Sequence, residues 1–459
     1  MDALAPIVRF LIAPAWALWE RSPYLRDYRK LLRTQYDSPE VIAARQWKAI
    51  LQTARHAYET TSFWRRRFQE AQIHPDDLRS FEDLSAIPLL TKDDLRKHGK
   101  EMLAKGYDRA DLTRKATSGS TGVSVEVFVD EAAQQWKRAC TLRSDEWSAW
   151  RFGQRVAAVW GNPEYLNRGW RGRLRNALLD RCRYLDTLKM DQRAMADFAT
   201  ELRRKPTSLL FGHAHSLCLF AEFVESQGQD GIRPRGIIST AMVLHDWERR
   251  TIEEVFQCPV TNRYGCEELS LIASQCESHA GLHVNADGVY VELLRPDGTP
   301  TSPGEPGMVV VTDLVNRAMP MLRYQVGDMA AWTDRPCCCG RGLPVLEKIE
   351  GRIADYVVTP RGELISGISL TENFAMMVPG VAQLQIVQEE VDRFVFRIVK
   401  GPDFGPASLD RISSLVAERF GADVGHQCEY VERISPEPSG KYRFCISKVE
   451  NAIKFGKRP

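Results

Sequence analysis

The sequence predicts an α/β protein in which a large N-terminal domain with mixed sheets and flanking helices is followed by a small α+β domain. Apolar runs alternate with amphipathic stretches through the middle of the chain, and this pattern changes after residue 353. The 459 residues are 44% hydrophobic and 27% charged, which is ordinary for a folded protein with large cores. We therefore place the N-terminal domain at residues 1–353, with a helical lead-in over about 1–105, and the C-terminal domain at 354–459.

Charge and cysteine content exclude several classes of protein. The 62 Lys and Arg balance 60 Asp and Glu, so the net charge of +2 gives no reason to expect binding to nucleic acid. Eleven cysteines, three of them consecutive at 337–339, do not form an evenly spaced disulfide framework. A reducing cytoplasm is the expected location.

The first nineteen residues are apolar but are interrupted by Pro6 and Pro14, and the run is too short for a membrane span of about 20 residues. Five of its side chains fall on one helical face: Leu4, Ile7, Val8, Leu11 and Ile12. We expect this segment to pack against the rest of the protein. The alternative is a helix resting on a membrane surface, which would make the protein peripheral at the inner membrane face.

Helical spacing also marks the rest of the lead-in, where Trp47, Ile50, Leu51 and Ala54 recur at intervals of three and four. Four buried strands are predicted after it: Val156–Trp160, Ser208–Phe211, Gly236–Ser239 and Val260–Tyr264. Helices are predicted between them at Met190–Arg204, His215–Glu225 and His245–Phe256. Ligands of such sheets bind beyond the carboxyl ends of the strands, so His213, Thr240 and Ala241 are expected in a substrate pocket. His213 is equally well explained as a structural histidine.

The last third of the chain is predicted to be richer in strands. A β-rich section covers Val289–Val311, with turns at Pro296-Asp297-Gly298 and Pro303-Gly304. The C-terminal domain has predicted strands at Ala382–Val387, Phe394–Val399 and Gln427–Ile434, and a helix that contains Leu409, Ile412, Leu415 and Val416.

A run of hydroxyls and glycines follows the lead-in: Thr117, Ser118, Gly119, Ser120, Thr121 and Gly122. Glycine permits a close approach of the backbone, and N–H groups with hydroxyls can surround a polyphosphate. The familiar phosphate-loop fingerprint fails, because the glycines stand three apart and Val123 follows in place of lysine. A surface turn is the alternative for this run taken alone.

Four later segments carry chemistry that a nucleotide enzyme uses: Tyr264-Gly265-Cys266-Glu267-Glu268, Arg323-Tyr324-Gln325-Val326-Gly327-Asp328, Gly351-Arg352-Ile353-Ala354-Asp355 and Pro438-Ser439-Gly440-Lys441-Tyr442-Arg443. The first offers an aromatic ring for a base and carboxylates for Mg²⁺, and the second offers a carboxylate for ribose hydroxyls. The fourth presents a lysine from a glycine turn. Each segment alone is a weak signal.

Together and in this order, the five segments resemble the core motifs of the adenylate-forming ligase superfamily. The short chain and its Cys-rich insert resemble the phenylacetate-CoA ligase branch, including relatives found with capsular and exopolysaccharide biosynthesis. The resemblance implies an adenylate-forming N-terminal domain with a mobile C-terminal lid. It also implies ATP-dependent activation of a carboxylic acid as an acyl-adenylate, release of pyrophosphate, and acyl transfer to CoA. Transfer to an amine of a sugar or small molecule, and an inactive scaffold, are the alternatives.

The resemblance also implies roles for individual residues. Residues 117–122 would hold the β- and γ-phosphates of ATP, Tyr264 beside Gly265 would stack on adenine, and Asp328 would bind the ribose. Glu268 would ligate Mg²⁺, and Lys441 would be the catalytic lysine. Two further roles are implied at the domain boundary: Arg352 against ribose or phosphate, and Asp355 as the hinge.

Two departures from the family pattern bear on these roles. Glu267 stands where Ser or Thr usually precedes the metal ligand, so either glutamate could take Mg²⁺, and we expect Glu268. Ala241-Met242 stands where a Gly-Glu pair is common in the family. The family pattern therefore does not predict which residues line the adenine pocket at this position.

A second metal site, structural in kind, is predicted from Cys276, His283, Cys337 and Cys339, whose soft and borderline donors suit tetrahedral Zn²⁺. His279 is an alternative ligand, Cys338 is a register alternative, and buried free cysteines are the alternative to a metal. A closed site would hold together the region between Tyr264 and Asp328. A basic cluster between Arg168 and Arg183 is expected to be a solvated helix face or a contact for an anionic co-substrate.

Overall fold

The computed structural model describes residues 2–117, 125–160, 169–228, 231–242, 246–295, 297–350, 356–360, 364–366, 377–421, 423–434 and 445–449, together with residues 244, 370 and 374. The α-helices are α1 Leu4–Ile7, α2 Ala13–Trp19, α3 Tyr24–Thr34, α4 Pro39–Thr60, α5 Ser62–Glu70, α6 Lys92–His98, α7 Glu131–Asp145, α8 Gly169–Arg175, α9 Gln192–Arg204, α10 Ala214–Ser226 and α11 Asp246–Phe256, followed late in the chain by a helix at Pro406–Phe420. Val8–Ile12 joins α1 to α2 as a π-helical turn, and Asn176–Asp180 continues α8 in the same way.

The strands are β1 Thr113–Thr117, β2 Val125–Val129, β3 Val156–Trp160, β4 Cys182–Asp186, β5 Leu209–His213, β6 Gly236–Thr240, β7 Val260–Cys266, β8 Ser270–Gln275, β9 Leu282–Val284, β10 Val289–Leu294, β11 Pro306–Asp313, β12 Tyr324–Trp332, β13 Val345–Glu350, β14 Tyr356–Val358, β15 Leu364–Ser366, β16 Val381–Glu390, β17 Arg393–Lys400, β18 Gly425–Tyr430 and β19 Cys445–Ser447.

A mixed sheet of eleven strands organises the described residues before 351, in the order β10-β11-β12-β13-β9-β8-β7-β6-β5-β3-β4. The β4, β3, β5, β6 and β7 strands run parallel, and every pairing from β7 to β10 is antiparallel. The four strands and three helices predicted from the apolar runs are all present, with bounds that differ by a few residues. The α/β fold class with mixed sheets is thereby confirmed.

Parallel strands place the polar residues that follow them along one edge of the sheet. The β3, β5, β6 and β7 strands end at Trp160, His213, Thr240 and Cys266. Their interiors are buried because helices cover the sheet, and α9, α10 and α11 contribute Phe198, Phe220 and Phe256 to one core beneath it. This edge is therefore the place where a ligand can reach side chains of several strands.

The helical lead-in packs on the antiparallel half of the sheet. Ile50 and Ala54 of α4 are buried as predicted, and Trp47 and Leu51 pack against the same core. Trp64 of α5 is fully buried, and its indole N–H donates to the carbonyl of Pro320 at 2.9 Å. The helical lead-in thus shares a hydrophobic core with β12.

The first helical segment, Leu4–Trp19, packs through small residues, and the face predicted for it is wrong. Ala5, Val8, Ala13 and Ala17 are buried against α3 and α7, whereas Leu4, Ile7 and Leu11 are exposed. The π-helical turn at Val8–Ile12 adds a residue to the repeat, so a 3.6-residue period does not locate the buried face. No helix among the described residues is long and apolar enough to cross a membrane.

The residues after 376 form a four-stranded sheet of order β18-β17-β16-β19, covered by the helix Pro406–Phe420. Phe394, Phe396, Ile412, Leu415 and Val416 share its buried core, as the predicted pattern requires. This α+β arrangement agrees with the prediction for the C-terminal region. The boundary at 353/354 falls on residues outside the described set and stays a prediction.

A buried ion pair fastens α7 to the sheet. The Lys137 ammonium lies 2.7 Å from Asp313 Oδ2, and both side chains are at most 5% exposed. The other carboxylate oxygen, Oδ1, accepts the backbone N–H groups of Val315 and Asn316 at 2.9 and 3.1 Å. Removal of the cation would leave a buried carboxylate without its charge partner.

We expect Lys137→Met to lower the free energy of unfolding by about 3–5 kcal/mol, because an uncompensated buried charge costs that much. Adding Asp313→Asn should recover part of the loss. The matched control is Arg55→Met, which breaks the exposed Arg55–Asp76 pair and should cost under about 1 kcal/mol. Urea unfolding followed by tryptophan fluorescence measures all three. Equal transitions for Lys137→Met and Arg55→Met would contradict the importance of the buried pair.

Candidate active site and metal centre

The turn after β7 carries the first predicted group of site residues. Tyr264 is buried, and a bulge separates it from Gly265 in the pairing with β8. A side chain at Gly265 would place its Cβ 2.4 Å from the carbonyl oxygen of Ser270, so only glycine fits there. The bulge and the glycine together re-aim the two residues that follow β7, Glu267 and Glu268.

The two glutamates of this turn point to different environments. Glu268 is 3% exposed, and its Oε1 accepts a hydrogen bond from the Tyr324 hydroxyl at 2.9 Å. The side chain of Glu267 is 54% exposed and lies 3.8 Å from the Lys115 ammonium. Of the two carboxylates, Glu268 is therefore the one held rigidly inside the protein.

Tyr264 and Asp328 meet, although 64 residues separate them in the chain. The Tyr264 hydroxyl donates to Asp328 Oδ2 at 2.9 Å. The strands that carry them, β7 and β12, are four strand spacings apart in the sheet order, or roughly 19 Å if the sheet were flat. The sheet therefore curls, and bulges in β7 and β12 provide the bend.

Two lysines also belong to this cluster, and neither was predicted as a site residue from the sequence. Lys115 lies on β1, and its ammonium donates to Ser270 Oγ at 3.1 Å. Burial lowers its pKa, although Glu267 acts in the opposite direction. Lys92 opens α6, with its ammonium 4.0 Å from Glu268 Oε1. The available signal was weak, because each is a single lysine outside any motif. Pairing of Leu90 with Tyr324 brings Lys92 near Glu268.

The predicted phosphate loop is described at its ends only. Thr117 closes β1 and is paired with Val125 of β2, so the two ends of segment 118–124 lie side by side. Ser118, Gly119, Ser120, Thr121 and Gly122 lie outside the described residues, as do Arg352, Asp355 and Lys441. Their roles remain predictions.

The predicted substrate pocket brings together the ends of three neighbouring parallel strands. His213 and Thr240 are paired across β5 and β6, and the Trp160 ring at the end of β3 lies 4.1 Å from the His213 ring. Burial lowers the pKa of His213 to about 4, so the imidazole is neutral at pH 7. Among the described residues its Nδ1 has no hydrogen-bond partner. A neutral donor or acceptor is thus present at the carboxyl edge of the sheet.

Ala241, directly after β6, has a left-handed backbone conformation. Its φ is +66°, in the left-handed region that glycine adopts without a steric cost. Alanine at this position stores backbone strain of about 1 kcal/mol or more directly after a pocket strand.

Three arginines of the basic cluster between Arg168 and Arg183 are paired with acidic side chains. Arg175 lies 2.9 Å from Glu20, Arg181 lies 2.8 Å from Asp2, and Arg183 lies 3.1 Å from Glu201. The first two pairs tie the region around α8 to the first helical segment. Arg168 lies outside the described residues.

The four predicted metal ligands converge. The donor atoms of Cys276, His283, Cys337 and Cys339 all lie within 4.8 Å of one another. Cys276 Sγ and Cys337 Sγ are 3.6 Å apart, and Cys339 Sγ is 3.3 Å from His283 Nε2. His279 and the exposed Cys338 are not members of this group.

The donor set suits a structural zinc ion. Three thiols and one imidazole form a complete tetrahedral shell. His283 Nδ1 lies 3.3 Å from the carbonyl of Leu343, an arrangement that directs Nε2 toward the cysteines. Burial lowers the pKa of His283 to about 4, which keeps the ring neutral as a ligand must be. The group joins Cys276, directly after β8, and His283, on β9, to two cysteines of the β12–β13 loop.

The architecture has counterparts among solved structures. A mixed sheet with flanking helices, followed by a small α+β unit, is the fold of the adenylate-forming CoA ligases. A crystal structure of 2-hydroxyisobutyryl-CoA ligase with 2-HIB-AMP and CoA in the thioesterification state matches with a TM-score of 0.61 and 20% identity, over 88% of this chain and 90% of that chain.

Sequence relatives narrow the class to one branch. Protein CapK of Staphylococcus aureus is 23% identical over 385 residues, which cover 80% of this chain and 81% of CapK. Phenylacetate-coenzyme A ligase of Thermus thermophilus is 27% identical over 343 residues, which cover 70% of this chain and 72% of that ligase. A family model described as the CapK C-terminal domain matches residues 357–448. The chain is thus a homologue of CapK and of phenylacetate-CoA ligases, and the resemblance to the adenylate-forming superfamily is confirmed.

We expect the purified protein to carry one zinc ion per chain, because the four donors complete a closed shell. Cys276→Ser should lose the metal and lower the thermal midpoint. Cys338→Ser is the matched control, since this neighbouring thiol is exposed and outside the group. Metal analysis by mass spectrometry after gentle preparation decides the matter. Zinc-free wild-type protein, or equal zinc in both variants, would contradict the site.

Proposed function

We propose that this chain activates a carboxylic acid with ATP, releases pyrophosphate, and transfers the acyl group from the acyl-adenylate to CoA. The observation that carries the proposal is the hydrogen bond between Tyr264 and Asp328, with Glu268 held close by through Tyr324. Through these bonds an aromatic ring and two carboxylates lie in one cluster. These are the groups that the adenosine and the metal-bound phosphates of ATP require.

Each residue of the proposed site would contact a different part of ATP. Tyr264 stacks on adenine beside Gly265, and Asp328 accepts the hydroxyls of the ribose. Segment 117–122 wraps the β- and γ-phosphates, and Arg352 lies against ribose or phosphate. Lys441 bridges the attacking carboxylate and the α-phosphate, where negative charge accumulates in the transition state. Lys92 adds positive charge near Glu268, and Lys115 adds positive charge near Glu267.

Glu268 is the residue that would hold Mg²⁺. A single rigid carboxylate fits this ion, which keeps several waters and binds phosphate oxygens. An ion held by Glu268 would supply positive charge that offsets the charge of the departing pyrophosphate. The zinc group, by contrast, would have no open position and would serve only to hold the curled sheet together.

Residues 354–459 are proposed to form a lid that turns about Asp355 between adenylation and acyl transfer. CoA is the preferred acceptor because named relatives are CoA ligases. The eleven cysteines, all among the described residues, form no disulfide, and a reducing cytoplasm is the proposed location. The acid pocket is proposed at Trp160, His213 and Thr240, with a neutral imidazole facing the bound acid.

The adenylation step is tested with two adjacent glutamates. We expect Glu268→Gln to lower acid-dependent pyrophosphate release about a hundredfold or more, because a group that stabilises transition-state charge is lost. Glu267→Gln, the matched control at the next position, should stay close to wild type. The assay uses ATP and a panel of aryl, fatty and hydroxy acids. Equal losses in both variants would contradict the assignment of Glu268.

The lysine role has its own matched pair. Lys441→Ala should lower adenylation about a hundredfold or more and leave ATP affinity nearly unchanged. Lys448→Ala is the control, since this lysine forms an exposed pair with Glu389. Normal adenylation by Lys441→Ala would refute the catalytic role.

The acceptor is decided in the same assay by adding CoA and then candidate amines, including amino sugars. Formation of an acyl-CoA thioester supports the proposal. Acid-dependent pyrophosphate release followed only by amide formation would move the assignment to an amide-forming ligase of polysaccharide or natural-product biosynthesis. If the folded wild-type protein releases no pyrophosphate with any acid, the proposed enzyme activity is refuted and the scaffold role is favoured.

A further inference from the structure

The first helical segment presents an unusual surface. Every exposed residue between Ala3 and Trp19 is apolar: Ala3, Leu4, Pro6, Ile7, Phe10, Leu11, Ala15, Leu18 and Trp19. Phe10 is 72% exposed and Leu18 is 80% exposed. The only charged residue in this range, Arg9, is partly covered and lies 3.4 Å from Glu146. A helix that simply borders water carries polar residues on its outer face.

The inner face of the same segment is already used. Ala5, Val8, Ala13 and Ala17 are buried in the core shared with α3 and α7. The segment is therefore apolar on both sides, and only its inner side is buried against the rest of the protein. Helices that are apolar all round are found buried in proteins or in lipid.

A second apolar strip lies on the neighbouring helix. Trp170, Leu174 and Leu178 are exposed and recur every four residues along α8 and the turn after it. Two ion pairs hold this helix beside the first segment: Arg175 with Glu20 at 2.9 Å and Arg181 with Asp2 at 2.8 Å. The two strips thus belong to one region of the surface, named here the apolar face.

The surroundings of the apolar face are basic. Residues 2–34 and 169–183 contain eleven Lys and Arg against four Asp and Glu, whereas the whole chain is nearly balanced at 62 against 60. Arg21, Arg26 and Arg29 are exposed directly after the segment. Excess positive charge beside an apolar surface is complementary to anionic lipid headgroups.

We propose that the apolar face docks this protein onto the surface of an anionic phospholipid bilayer, with Leu4–Trp19 lying in the plane of the interface. The segment is about 24 Å long and its inner side stays packed on the protein, so it lies on the membrane and does not span it. Trp19, next to Glu20 and Arg21, sits at the boundary between apolar and charged residues, as interfacial tryptophans do. A second copy of the chain is disfavoured as the occupant, because isologous pairing would oppose two basic surfaces.

The test is sedimentation of the full chain with phosphatidylcholine vesicles that contain about a third phosphatidylglycerol, and with pure phosphatidylcholine vesicles. We expect binding to the anionic vesicles, weaker binding to the neutral ones, and a decrease at high salt, where charge interactions are screened. The triple variant Phe10→Ser, Leu11→Ser, Leu18→Ser should lose binding by roughly tenfold or more. All three side chains are exposed, so its thermal unfolding should match wild type.

The matched control replaces exposed apolar residues outside the face, Val41→Ser, Met377→Ser and Val391→Ser, and should bind like wild type. Wild-type protein that stays in the supernatant would overturn the proposal, as would a triple variant that binds normally. A wild-type dimer in solution that the triple variant loses would also overturn it, by assigning the face to a second copy. None of these measurements depends on ligase activity.

Discussion

The candidate site depends on a curled sheet held closed by two tyrosine hydroxyls. Tyr264 of β7 reaches Asp328 of β12, and Tyr324 of β12 reaches back to Glu268 after β7. Each bond joins strands that three other strands separate in the sheet order. Without the curl, the proposed ribose ligand and the proposed metal ligand would lie too far apart to serve one nucleotide.

The group of Cys276, His283, Cys337 and Cys339 acts on the same bend. It connects the end of β8 and the β9 strand with the loop between β12 and β13. A zinc ion there would fix these segments relative to one another and, with four protein ligands, would leave no open position for a substrate. The Cys and His group and the candidate nucleotide site thus both depend on the curl of the sheet.

Much of the fold was predictable because local patterns decide it. Buried parallel strands such as Val156–Trp160 have continuous apolar runs, and the amphipathic helices between them have clear periods. The first segment shows the limit of such reasoning. Its π-helical turn shifts the period, and its packing uses alanines, so the larger side chains that suggested an inner face are exposed.

The site was predictable only where residue types are distinctive. The Cys and His spacing predicted the four side chains that the structure brings together, and His279 is not a member of that group. Tyr264, Glu268 and Asp328 were identified through ordered motifs. Lys92 and Lys115 were not, because a single lysine on a helix or strand has no local signature and only tertiary packing brings it near Glu268 or Glu267.

The most direct measurement of the central claim is a double-mutant cycle on Tyr264→Phe and Asp328→Asn, read as the KM for ATP in acid-dependent pyrophosphate release. If the curl brings these side chains together to bind ATP, each variant raises the KM and the double variant is little worse than Asp328→Asn alone. Independent effects that multiply in the double variant, or an unchanged KM for ATP in Asp328→Asn, would contradict the account.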